Sequence, residues 1–268
     1  MRLVVIPPYL NPAVNWGFVL ENLVADYRKK GGLKGVEVIV DEGYLIDSPS
    51  EKRDEAFLAN INIGIINKIK EYSEGGKVDA IVLTGALDPG FIAGRLMSSV
   101  PIAAAVHSGF HVASLIGDRF SEIHAVAPSS LIVRHLGERY GFSHKLVSVR
   151  WFGHSSTETY MFLRKYKGNW DKRFEDPGLK KITEDLAEAC IAAIEKDRAD
   201  SVIFGCEHIQ SLADGARKLL DKAGYSEIPI VCELPAGLEM AQAMVNMKLR
   251  QTARAYPGAD LKAIPEYW

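Results

Sequence analysis

The feature that most limits what this chain can fold into is a segment that occurs twice. Val78-Asp79-Ala80-Ile81-Val82-Leu83-Thr84-Gly85 aligns with Ala199-Asp200-Ser201-Val202-Ile203-Phe204-Gly205-Cys206, an offset of 121 residues from Asp79 to Asp200. Downstream, Val100-Pro101-Ile102-Ala103 pairs with Ile228-Pro229-Ile230-Val231, an offset of 128 from Pro101 to Pro229. Each copy reads as a strand, a loop, a helix and a second strand led by proline. The copies are too few and too far apart for a solenoid. Two similar halves facing each other are expected, with chance likeness between two βαβ units as the competing explanation.

The rest of the chain fits that plan. Short β-branched runs at 3–6, 36–40, 80–83, 102–106, 123–126, 146–149, 202–204 and 230–232 read as strands. Helical periodicity is clearest at 55–71, 129–140, 179–195, 209–223 and 236–250. Continuous apolar runs between helices mark parallel strands buried on both faces, so the class is α/β with parallel sheets. A chain of 268 residues is long enough to bury such cores without covalent staples.

Ligands of open parallel sheets bind beyond the carboxyl ends of the strands. Gly85 and Cys206 hold equivalent strand ends in the two copies and are expected to face one cleft. Cys206 precedes a helical stretch, and a thiol at a helix N-terminus ionises more readily. Glu207 and His208 follow directly and can tune it. The bland alternative is that Cys206 is a small buried hydrophobe. Gly85 leaves room for backbone N–H groups to face a ligand, with Thr84 and Ala86 beside it. Asp88-Pro89-Gly90 is by itself an ordinary helix-entry turn with Asp88 as cap. His107 follows the strand at 102–106 and is either an acid/base group or a structural histidine. Tyr9 and Asn11 follow the first strand and are either donors to a substrate oxygen or parts of a surface turn. The aromatic, polar segment 151–177 is long enough to be a lid carrying His154, Arg164 or Trp170 to a ligand, or else an oligomer contact.

Composition narrows the partners. A net charge of −2 gives no basic excess for nucleic acid, and no basic amphipathic stretch marks a membrane surface. No apolar run nears the roughly 18 residues of a membrane span, and Pro7-Pro8 makes the first ten residues a strand and turn rather than a signal peptide. Three cysteines, Cys190, Cys206 and Cys232, with no CxxC spacing argue against disulfides or a zinc knuckle and suit a reducing cytoplasm. Cys190 and Cys232 read as packing residues. No metal or organic cofactor is expected; a small-molecule substrate and a homo-oligomer are.

Several stretches resemble the aspartate/glutamate/hydantoin racemase superfamily. The run 79–83 leading to Asp88-Pro89-Gly90 is similar to the first signature of hydantoin racemases. Arg139-Tyr140-Gly141 through His144-Lys145-Leu146-Val147-Ser148-Val149-Arg150 is similar to their middle segment. Ser48-Pro49-Ser50-Glu51 with Asp54-Glu55-Ala56 is similar to a further stretch, and Gly205-Cys206-x-His208 to the second cysteine signature. The resemblance implies two Rossmann-like domains related by pseudo-twofold symmetry, with the active site between them and catalysis without metal or cofactor. The expected domains are 1–115 plus 234–268, and 116–233, with the C-terminal helix returning to the first.

The departures matter. Racemases of this family carry one cysteine per face, and the first position is Gly85 here. Pro7-Pro8-Tyr9 replaces an asparagine-rich strand end, and His107 replaces a glutamate. Arylmalonate decarboxylases share the single-cysteine pattern, but Ala86 and Leu87 stand where they carry hydroxyls. The expectation is a cofactor-independent racemase or epimerase acting on a carbon acid next to a carbonyl, with Cys206 as acid/base and His107, Thr84 or water opposite. The alternatives are a decarboxylase or other lyase, and a non-catalytic small-molecule sensor.

Overall fold

In a computed structural model of the protein, residues 1–11, 14–46, 55–126 and 129–257 are described. The similarity at Ser48–Glu51 and Asp54 and the end of the expected first domain beyond residue 257 lie outside them. The described strands form two separate four-stranded parallel sheets. The first contains β1 (Arg2–Ile6), β2 (Glu37–Val40), β3 (Ala80–Leu83) and β4 (Ile102–Ala104) in the order β2-β1-β3-β4. The second contains β5 (Phe120–His124), β6 (Leu146–Trp151), β7 (Ser201–Phe204) and β8 (Ile230–Cys232) in the order β6-β5-β7-β8. The two orders are the same. The repeat also holds at the level of register: Ile81 lies opposite Ile102, and its counterpart Val202 lies opposite Ile230.

The central strands β3, β5 and β7 are buried along their whole length; the apolar run of β3 requires this once helices cover both faces, while β5 takes Ser121, Glu122 and His124 into the interior with it. The helices are α1 (Trp16–Lys29), α2 (Glu55–Ser73), α3 (Phe91–Met97), α4 (Ala105–Ile116), α5 (Ser130–Arg139), α6 (Ser156–Leu163), α7 (Pro177–Asp197), α8 (Glu207–Gln210), α9 (Ala213–Lys222) and α10 (Glu233–Asn246). The start of α7 shows how local sequence sets a boundary. Asp176 caps it by accepting from the N–H groups of Gly178 and Leu179, and Pro177 supplies a first residue with a preset φ.

Some sequence expectations are revised, and one helix was not expected. The stretch 209–223 is two helices, α8 and α9, rather than one. The strand expected at 102–106 stops at Ala104, and α4 begins at once with Ala105. Helix α1 carries no expectation at all, although Asn15 caps it through the Gly17 N–H and its buried residues Trp16, Val19, Leu20, Leu23 and Val24 follow a helical period.

The two halves are held together by an exchange of helices. Helix α4 follows the last strand of the first sheet yet packs against β7 and β8, while α10 follows the last strand of the second and packs on β3 and β4. One glycine in each helix permits the approach. A Cβ on Gly109 would meet Glu233 of α10 at 3.0 Å and Ile203 of β7 at 3.4 Å, and one on Gly237 would meet Val82 of β3 at 3.0 Å; Gly109–Ile203 and Gly237–Val82 are the matching contacts. These are equivalent pairs under the repeat, so the interface is built twice from the same contact.

Candidate active site

In each sheet the chain order reverses between its two central strands, and the crevice at such a reversal is where open α/β sheets take ligands. Here the strand ends of the two sheets share one pocket. It is lined by Pro8 after β1, Gly85 and Ala86 after β3, Cys206, Glu207 and His208 after β7, and Trp16 and Ser156. Its cavity volume is only about 10 Å³, roughly the room of one water and far below the roughly 300–1,000 Å³ of sites for drug-sized ligands.

Cys206 is the N-cap of α8, with extended backbone at φ −107° and ψ 142°, and is 5% exposed. Helix α8 is a single turn. Its dipole sums few peptide units, so the help expected from a long helix is small. Gly205 is required beneath: a Cβ there would overlap Oε1 of Glu122, which is fully buried on β5 and bonded to Nδ1 of His124 at 3.2 Å. His208 is buried and stacks in a tilted arrangement on Trp16, ring centres 5.7 Å apart.

Gly85 has φ +100°, and its N–H donates to Oε1 of Glu207 at 2.6 Å. The amide expected to face a ligand is thus taken by a carboxylate reaching across from the other half. A Cβ on Gly85 would lie 2.9 Å from Pro8 Cβ and 3.1 Å from its Cγ. Pro8 therefore fills the space a first-position side chain would use. Ala86 lines the pocket as expected from the sequence.

The other sequence candidates lie elsewhere. Thr84 is buried with its hydroxyl donating to the Ile6 carbonyl at 3.4 Å. Tyr9 is in the core, edge-on to Phe57 at 5.5 Å. Asn11 forms an isolated bridge with Val14. None of these three lines the pocket. His107 is displaced by the early start of α4. It sits inside the first turn, facing Arg95 (3.3 Å), Phe91, Tyr140 and His111. Burial, then His111 and Arg95, push its pKa down to about 3, so it is neutral at ordinary pH. Asp88 does not cap α3, the helix it precedes, which Gly90 enters without a side-chain cap. Asp88 accepts the Val106 and His107 N–H groups, both at 2.8 Å, and the Tyr140 hydroxyl at 2.9 Å, tying the β3 loop to α4 and to the end of α5.

The sequence model of the family described as Asp/Glu/Hydantoin racemase matches residues 20–241. The chain belongs to this family. It is 24% identical to a hydantoin racemase of Pseudomonas sp. (strain NS671) over 184 residues, 69% of this chain and 65% of that protein. It is 21% identical to a hydantoin racemase of Paenarthrobacter aurescens over 95% of each chain. An allantoin racemase structure from Klebsiella pneumoniae superposes with a TM-score of 0.74 at 21% identity, covering 100% of this chain and 97% of that one.

Within this racemase family member, segment 151–177 meets the pocket through Ser156, at the start of α6. Tyr160 on the same helix accepts the Asn15 N–H at 2.9 Å and packs edge-on to Trp16. His154 is held by Glu158 and Asp185, and Trp170 donates to Asp26 of α1. Arg164 belongs to a short 3-10 turn, and none of these three lines the pocket. Sequence reasoning missed Pro8, Trp16 and Ser156. Trp16 was open to discovery, because Asn15 is a cap signal that places it at the start of a helix.

Carboxyl groups crowd the region behind the thiol. Glu233 is fully buried at the start of α10, and neither of its oxygens has a hydrogen-bond partner among the described residues. Burial raises its pKa well above the ordinary range, and the negative groups of Glu122, Asp88, Cys206 and Glu207 raise it further. Burial also raises Glu122, against the pull of His124. Among the described residues no group of three or more His, Cys, Asp and Glu is arranged to hold a metal ion. Cys190 and Cys232 are both pushed up to about 12 by burial, as suits packing residues.

Proposed function

We propose that this protein is a cofactor-independent racemase or epimerase of a small cyclic carbon acid of the hydantoin type, with Cys206 as an acid/base residue. The observation that carries the reading is the shared pocket: Cys206 of one half and Gly85 of the other stand at equivalent strand ends around one small space. Hydantoin and allantoin, named for the relatives, share a ring carbon whose proton is acidified by an adjacent carbonyl. Removing that proton gives a planar enolate, and returning one to the other face inverts the centre.

Trp16 supports the same chemistry. Its ring lines the pocket, and its buried indole N–H has no acceptor among the described residues. A donor of this kind can hold the carbonyl oxygen as it becomes an oxyanion, an effect worth about 3 kcal/mol per donor in dry sites. Buried surroundings strengthen that bond because water does not compete.

One observation favours a second reading. Gly85 cannot take a side chain without meeting Pro8, and decarboxylation needs a proton donor on one face only. The deciding experiment is proton–deuterium exchange at the acidic carbon of a panel of hydantoins, amino acids and malonates, with Cys206→Ala as control. Exchange without loss of carbon dioxide, with inversion lost in the variant, is the expected result. Stoichiometric carbon dioxide release would turn the reading to a lyase; tight binding without turnover would turn it to a sensor.

A further inference from the structure

Inversion at a carbon needs a proton carrier on each face of the intermediate, and Gly85 offers none. Thr84 is buried with its hydroxyl on a backbone carbonyl, and His107 faces α3 and α5. Glu207 is placed differently. Its backbone belongs to the second half, beside Cys206, but its carboxylate ends on the first half's strand end, 2.6 Å from the Gly85 N. Glu207 is 6% exposed and lines the same pocket as the thiol. The carboxylate and the thiol therefore belong to opposite walls of one space. The positive φ of Gly85 and the Pro8 ring behind it leave that wall without a side chain of its own, and the Glu207 carboxylate occupies it.

We propose that Glu207 is the proton carrier opposite Cys206, replacing a first-position thiol. The assignment rests on the racemase reading above. In one direction the Glu207 carboxylate takes the proton from the substrate carbon and becomes the acid, the C–H electron pair passing into the enolate. The Cys206 thiol then protonates the opposite face and is left as thiolate. The reverse direction starts from the Glu207 acid and the Cys206 thiolate, and exchange with solvent interconverts the two forms. The Gly85 N–H serves to aim the carboxylate, which explains why that amide is not open to the ligand.

The test uses the hydantoins of L- and D-alanine in D₂O at neutral pH, with a protein-free control. The unsubstituted protein should exchange and invert both. Glu207→Gln keeps an oxygen for the Gly85 N–H but carries no proton, and racemisation should fall by about 10²-fold or more. It should still exchange one enantiomer without inverting it, by way of Cys206. Cys206→Ala should exchange only the other enantiomer, by way of Glu207. Glu207→Asp, which is shorter by one methylene, should be poor but not inert, and unfolding curves check that each variant is folded. Racemisation by Glu207→Gln at the unsubstituted rate would overturn the assignment alone, as would loss of exchange with the same enantiomer in both variants. No exchange by the unsubstituted protein with either hydantoin would overturn the racemase reading and this assignment with it.

Discussion

The Glu207 carboxylate accepts the Gly85 N–H at 2.6 Å, a bond that joins the carboxyl ends of equivalent strands in the two halves of the molecule. Both residues line the pocket with Cys206, and the bond removes from the first strand end the amide that a glycine there would otherwise present. A charge-assisted bond of this kind, shielded from water, is worth more than a neutral one.

The Gly85–Pro8 contact changes what a thiol at the first position would do. From sequence, a cysteine there would give each face its own thiol. In the fold, Gly85→Cys places a Cβ at a φ of +100° and within 2.9 Å of Pro8. The expected outcome is a loss of about 1–3 kcal/mol of stability through strain and overpacking, with no gain in racemisation. Urea unfolding and a racemisation assay check it, and a stable, more active variant would show that the loop after β1 yields easily.

Trp16→Phe tests the indole donor while keeping most of the ring packing against His208 and Tyr160. Loss of one oxyanion donor should lower kcat by about 10²-fold. Steady-state kinetics on an alanine hydantoin would read this, and an unchanged kcat would remove Trp16 from the reaction.

Most of the architecture was legible in the chain because parallel strands buried on both faces announce themselves as short apolar runs. The 121-residue offset also falls on the true strand equivalence. The pocket was legible at Cys206 and its neighbours, which follow directly on a strand end. It was not legible at His107, because Ile102-Ala103-Ala104-Ala105-Val106 reads as one strand although its alanines suit a helix equally well. Breaking that run after Ala104 turns His107 away from the pocket. Pro8 and the reach of Glu207 were hidden for another reason. Both act through contacts between distant parts of the chain, which local patterns do not encode.

Glu233 makes stability depend on pH with a definite sign. A buried carboxyl whose pKa is raised in the folded state contributes stability that is fully present below its unfolded value, about 4.3, and lost as pH rises through the folded value. Asp88, pushed up to about 7 mainly by burial, acts in the same direction. The protein should therefore weaken as pH rises from about 4 through about 7, where Asp88 titrates, and beyond it as Glu233 ionises. Glu233→Gln removes the larger liability and should be more stable at alkaline pH by about 1–3 kcal/mol, the scale of one buried unsatisfied group. Urea midpoints across pH would show the two curves diverging upward in pH; parallel curves would mean that Glu233 does not titrate in this way.

The central claim is that Cys206 moves the proton. Its most direct measurement is the decay of optical rotation of an enantiopure alanine hydantoin, followed with the unsubstituted protein and with folded Cys206→Ala. The account predicts a rate at least about 10²-fold lower in the variant, the usual scale for loss of one general acid/base. Decay at the unsubstituted rate in Cys206→Ala would contradict it.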